Sequence, residues 1–168
     1  MTLETDAGGE TGADYSVGVP SGGGVEIESE EGDVEVTGLD GDVTVRAGSG
    51  DVTVRGVVGD VTVEADEGDV AVVGVRTDTG NVDLAVESGD VSLEDLMVGT
   101  LETTVETGDV NLSGRFSGEG RVSVGTGDVT ARLPSGDATD LALDTFVGGV
   151  SREAPGEDGP PEDREGDS

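Results

Sequence analysis

The tripeptide Gly-Asp-Val occurs at Gly32, Gly41, Gly50, Gly59 and Gly68, each nine residues after the last. It returns at Gly89, Gly108 and Gly127, with Gly80-Asn81-Val82 and Gly136-Asp137-Ala138 as variants. A fixed period of this kind is the mark of stacked repeats, in which each unit buries its apolar face only against its neighbours. A chain so patterned is not free to fold around one irregular core.

Alignment on Gly32, Gly50, Gly68, Gly89, Gly108 and Gly127 shows a longer unit, with spacings of 18, 18, 21, 19 and 19 residues. Three alternating positions precede each Gly: Val25/Ile27/Ser29, Val43/Val45/Ala47, Val61/Val63/Ala65, Val82/Leu84/Val86, Leu101/Thr103/Val105 and Gly120/Val122/Val124. An alternating pair follows it, from Val34/Val36 to Val129/Ala131. Period-2 alternation places these side chains on one face of a strand, and β-branched Val suits a pleated surface. A third apolar position comes later in each unit, at Leu39, Val57, Val75, Leu96, Phe116 and Leu133. Gly38, Gly56, Gly74 and Gly114 stand close before it and mark a bend. No segment carries a 3.6-residue apolar period.

The predicted fold is all-β: a single-stranded parallel β-solenoid (β-helix) of about six to seven coils of 18–21 residues. Each coil has two main strands and a short third side, with essentially no helix. One coil buries too few small side chains to fold alone, so stacking must pair the backbone and enclose the Val columns. Residues 23–151 are assigned to the solenoid. Residues 1–22 form an N-terminal segment, partly disordered, with a leading strand near 15–20. Leu141, Leu143 and Thr145 repeat the first-strand pattern beyond a Leu133-Pro134 interruption, read as the C-terminal cap. Residues 152–168, rich in Pro, Gly and acid, read as a disordered tail.

The chain has 39 acidic and 8 basic residues, all of the latter Arg, for a net charge of −31. Such charge destabilises a compact state by self-repulsion. Salt at 1 M shortens the Debye length to about 3 Å and removes most of that penalty. A Lys-free, acidic, aromatic-poor chain is similar to the proteins of extreme halophiles. Nucleic-acid binding, which needs clustered positive charge, is disfavoured. No apolar run approaches the ~18 residues of a membrane helix. The N-terminus lacks the basic and apolar regions of a signal peptide, which points to the cytoplasm, or to the cell surface or envelope if the chain is a fragment.

The second-strand turn places Asp33, Asp51, Asp69, Asp90, Asp109 and Asp128 in one column. The first-strand column is looser: Gly24, Asp42, Asp60, Asn81, Thr100 and Glu119. The structural reading gives Gly a positive φ and has Asp cap the turn by accepting a backbone N–H. The six Asp residues are also candidates for loose binding of K⁺, Na⁺ or Ca²⁺. Calcium β-rolls need a glycine-richer loop than one Gly-Asp per turn, so no metal site or cofactor is assigned. Glu28, Arg46 and Glu64 fall in one outward column, which predicts Arg46 between two carboxylates, and Arg121 beside Glu102.

His, Cys and Lys are absent, so no near-neutral base or ready nucleophile is available, and the chain is expected to be no enzyme. A carbohydrate-active β-helix enzyme is a remote alternative. It would need a paired-carboxylate cleft with aromatic platforms, and no outward face is expected to carry an aromatic.

The stretches VPSGGGVEIESEEGDVEVTGLDGDVTVRAGSGDVTV and SGDVTVRGVVGDVTVEADEGDV resemble the adhesin family of β-strand-repeat (β-solenoid) domains of unknown function, in a halophilic archaeal form. The Val17-Gly18-Val19-Pro20-Ser21-Gly22 start and Leu133-Pro134 add to the likeness, which covers about residues 17–150. It implies a non-catalytic β-solenoid that presents a rigid acidic surface for binding or adhesion, associated with the cell envelope. The implied partner is an unknown protein or cell-surface component. The alternative is a bactofilin-like self-associating scaffold, with the chain a monomer or weakly associated end to end.

Overall fold

The computed structural model describes residues 15–17, 23–77, 79–133 and 141–153. Among them every regular element is a strand. Seven strands form one sheet: β2 (Val25–Glu31), β4 (Val43–Ser49), β6 (Val61–Glu67), β8 (Asn81–Ser88), β10 (Thr100–Thr107), β12 (Gly120–Thr126) and β14 (Leu141–Val147). Eight form the other: β1 (Tyr15–Val17), β3 (Val34–Thr37), β5 (Val52–Arg55), β7 (Val70–Val73), β9 (Val91–Val98), β11 (Val110–Phe116), β13 (Val129–Arg132) and β15 (Val150–Glu153). Neighbours in each sheet are parallel and one coil apart, as in Val43↔Val61 and Val52↔Val70. This is the expected parallel β-solenoid.

The aligned columns become the core. Ile27, Val45, Val63 and Val82 are fully buried from one sheet, and Val36, Val54, Val72 and Leu93 from the other. Outward positions between them carry Thr, Glu, Arg and Ser. The opening strand β1 pairs with β3, Tyr15 opposite Val34, and so extends the sheet by one rung at the N-terminal end. At the other end β14 and β15 complete a further rung, and β15 runs to Glu153, two residues past the expected end of the repeat. The Leu-Pro cap falls mainly on residues 134–140, outside those described, as do residues 154–168.

The third side departs from the alignment. Leu39, Val57, Val75 and Leu96 are buried in succession as expected. Phe116, however, lies opposite Val98, and Leu96 lies opposite Gly114. The cause is a bulge: β9 spends Glu94 and Asp95 between Leu93 and Leu96, whereas β11 spends only Ser113 between Leu112 and Gly114. The expected bend is present at Gly38, Gly56 and Gly74, with φ of 68°, 64° and 71°. In the next coil Asp95 takes that left-handed conformation instead, at φ 54°. Gly114 has no positive φ and lies within β11, so it marks no such bend.

Candidate functional site

The column from Asp33 to Asp128 is the most regular side-chain feature of the molecule. Its geometry follows from the backbone. At each turn the N–H groups of Gly and Val point forward to the next coil, as in Gly32 N to Ser49 O (2.9 Å) and Val34 N to Asp51 O (2.8 Å). The intervening Asp N–H points back, where the bent chain offers a carboxylate in place of a carbonyl. The carboxylate Oδ1 of Asp33 accepts the N–H of Asp51 at 3.0 Å, and Asp51 does the same for Asp69. Asp69, Asp90 and Asp109 continue the chain at 2.9, 2.9 and 2.8 Å. Asp128 ends it on Gly149 N at 2.7 Å.

The expected cap is thus made, but to the turn one coil later and not to the residue's own turn. Each Asp is a staple between rungs. The looser column joins in where it has an acid: Asp42 accepts Asp60 N at 3.2 Å, and Asp60 accepts Asn81 N at 2.9 Å. Sequence comparison of the columns missed this second, shorter ladder because it weighed identity and not hydrogen-bonding capacity.

Glycine precedes each Asp for two reasons. Its φ lies between 117° and 151° along the column, which side chains rarely adopt. A Cβ on Gly50, Gly68, Gly89, Gly108 or Gly127 would also collide with the carbonyl of the glycine one coil earlier. Gly-Asp is therefore a stacking corner: Gly lets the coils approach and Asp supplies the missing acceptor.

The six Asp residues are exposed and spaced one to a rung, about 4.8 Å apart. Among the described residues no three acidic side chains converge as a metal site would require.

On the outer face of the seven-stranded sheet, Glu28, Arg46 and Glu64 are register neighbours. Arg46 Nε donates to Glu64 at 2.7 Å, and Arg46 Nη1 lies 3.6 Å from Glu28. Glu26, diagonal to Arg46 and not anticipated, is closer than Glu28, at 3.2 Å. The hydrogen bond and charge of Glu64 raise the already high pKa of Arg46. Arg121 is in register with Glu102, yet the two form no ion pair. Glu102 instead lies beside Asp83 in the same column. The Asp83 carboxyl is raised above its ordinary value, first by desolvation and then by the like charges of Glu102 and Asp60.

One feature of this face contradicts the sequence reading, and one of the core was not weighed by it. Phe146 on β14 points outward and is 91% exposed, so an outward face does carry an aromatic. Thr103, buried in the core column between Leu84 and Val122, has no partner for its hydroxyl. The face also holds shallow depressions. One of about 560 Å³ is lined by Glu30, Glu31, Gly48, Ser49, Asp66, Glu67 and Glu87. Another of about 550 Å³ runs from Thr104 to Phe146.

This arrangement, two parallel sheets closed by Gly-Asp corners, defines a repetitive β-solenoid domain. The Toastrack DUF4097 family matches residues 13–163, and the chain belongs to that family. No curated protein and no solved structure matches the chain. No helix among the described residues is long and apolar enough to cross a membrane.

Proposed function

We propose that this domain is a non-catalytic presentation scaffold of the adhesin type: a stiff solenoid that holds an acidic face toward a protein or cell-surface partner at the cell envelope. The observation that carries it is the depression of Glu30, Glu31, Asp66, Glu67 and Glu87. Strand register fixes the backbone that carries these carboxylates, on three of four successive rungs, with Gly48 and Ser49 on the rung between. The lack of His, Cys and Lys supports a binding role over catalysis. Surface plasmon resonance on aminated, carboxylated and uncharged surfaces tests it. Binding should favour the aminated surface and fall in the combined Glu30→Gln, Glu67→Gln, Glu87→Gln variant. No preference among surfaces, or an unchanged variant, would sink the reading.

The halophilic origin belongs to the same proposal. A net charge of −31 on one small fold needs screening, so folding followed by circular dichroism should strengthen as KCl is raised. Full structure at low salt would count against it.

A bactofilin-like self-associating scaffold is the second reading. Val147 and Val150, 55% and 46% exposed on the last rung, favour it. Against it, Arg152 Nη2 donates to Leu141 O at 2.7 Å and occupies an acceptor on the β14 edge. Electron microscopy in molar KCl separates the two readings, since filaments would establish the second.

A further inference from the structure

The corner preceding each Gly turn is polar in rung after rung: Glu30-Glu31, Gly48-Ser49, Asp66-Glu67, Glu87-Ser88, Glu106-Thr107 and Gly125-Thr126. On the last rung it is Phe146-Val147. The Phe146 ring is outside the core and 91% exposed, so packing does not account for it. It borders a groove of about 550 Å³ that crosses β10, β12 and β14. Gly125 lies one rung before Phe146, where its backbone packs so close on the coil below that a Cβ would meet the Glu106 carbonyl oxygen at 2.6 Å. Thr104, Ser123 and Asp144 form one register column along the groove, and Glu106 stands at its far end.

We propose that this groove is a saccharide-binding site for neutral oligosaccharides, with Phe146 as the stacking platform. It deepens the binding role proposed above by naming a ligand class, and it uses a different part of the face. The apolar C–H face of a pyranose packs on an aromatic ring, whose own face is electron-rich. The sugar's hydroxyls then need acceptors and donors at the ring's edge. The Asp144 and Glu106 carboxylates are acceptors, and the Ser123 and Thr104 hydroxyls can do either. Neither carboxylate is held in an ion pair among the described residues, so both are available. Three rungs span roughly 10 Å, room for a short oligosaccharide lying across the strands. The groove's volume is also within the usual ligand range of about 300–1,000 Å³. The net charge of −31 and the two carboxylates select against sulfated or uronate glycans, lipid phosphates and nucleic acids.

The test is titration of the full chain with maltotriose, mannotriose and chitotriose, and with a sulfated trisaccharide as control, followed by calorimetry for every variant and by the aromatic proton resonances of Phe146 in the wild type. At least one neutral trisaccharide should shift them, and the sulfated one should not. Phe146→Ala should weaken binding about tenfold, since an aromatic contact contributes up to roughly 1.5 kcal/mol. Asp144→Asn should weaken it as well. Both side chains are exposed, so the melting temperature should not move. Failure of every neutral trisaccharide to bind, or equal binding by Phe146→Ala, would overturn the proposal. So would a Phe146-dependent dimer in sedimentation that leaves no saccharide binding, which would assign the ring to a second copy. Loss of binding to aminated surfaces in the Glu30, Glu67 and Glu87 variant, with trisaccharide binding retained, would separate this site from the acidic depression.

Discussion

Asp90 and Asp109 are 19 residues apart in the chain, yet the carboxylate of the first accepts the backbone N–H of the second at 2.9 Å. The contact repeats up the column, so each corner is bonded to the one before it. Removing the acceptor and removing the charge should have different effects. Asp90→Ala leaves the Asp109 N–H without its partner and should cost about 1 kcal/mol, the net value of a typical hydrogen bond. Asp90→Asn keeps a carbonyl oxygen in place and removes one charge from an acidic column, so at low salt it should match or exceed the wild type. Urea unfolding of both variants checks this; equal stability of Asp90→Ala and wild type would refute the staple.

The glycines divide into two kinds, and alanine should tell them apart. A Cβ on Gly108, at φ 145°, would meet the Gly89 carbonyl carbon at 2.7 Å and its oxygen closer still. Backbone cannot yield as a side-chain tip can, so Gly108→Ala should cost about 3 kcal/mol or more. Gly38, at φ 68°, has open space around it, and Gly38→Ala should cost only the left-handed penalty of about 1 kcal/mol. Thermal unfolding of the pair gives the comparison. Similar losses would mean that conformation alone, and not stacking distance, selects glycine.

Thr103 occupies a core position with its hydroxyl unpaired. Replacing that hydroxyl by a methyl removes a desolvation penalty without changing the side chain's shape. Thr103→Val should stabilise the fold by about 1–2 kcal/mol in urea unfolding. The same change at Thr107, which is exposed, should do almost nothing.

Asp83 links stability to pH. Its folded-state pKa is raised from the ordinary value of 3.8, so the folded chain holds that proton more tightly than the unfolded chain. Its contribution to stability therefore falls as pH rises through the window above 3.8 and stays reduced at neutral pH. Asp83→Asn should be more stable than wild type at pH 7, with the difference closing below the ordinary value. Because Asp83 is exposed, the effect should be modest, and added salt should shrink only the part that comes from Glu102 and Asp60. A difference that grew toward low pH would reverse the assignment.

The strands, their inward faces and the turn columns were legible in the sequence because each repeats. A periodic pattern such as Val43/Val45/Ala47 over Val61/Val63/Ala65 admits one alignment, and stacked coils convert alignment directly into register. The Arg46–Glu64 contact was legible for the same reason. The third side was less so. Between Leu93 and Leu96 the chain inserts a residue that has no counterpart between Leu112 and Gly114, and only three-dimensional pairing shows that Phe116 meets Val98.

By itself, then, the amino-acid sequence determined the coil length, the faces of the strands and the Gly-Asp corner, all consequences of local alternation and of glycine's backbone freedom. It left the partner of each Asp undecided, because a carboxylate in a turn can accept its own chain's N–H or a neighbour's. The tertiary structure decided for the neighbour: in a parallel stack the Asp51 N–H points back at Asp33, where no carbonyl is within reach. Alternation in the sequence already turned Phe146 outward, since Leu141, Leu143 and Thr145 hold the inward positions of β14; the tertiary structure decided its neighbour, because only the strand pairing across the interrupted repeat sets it one rung above Gly125.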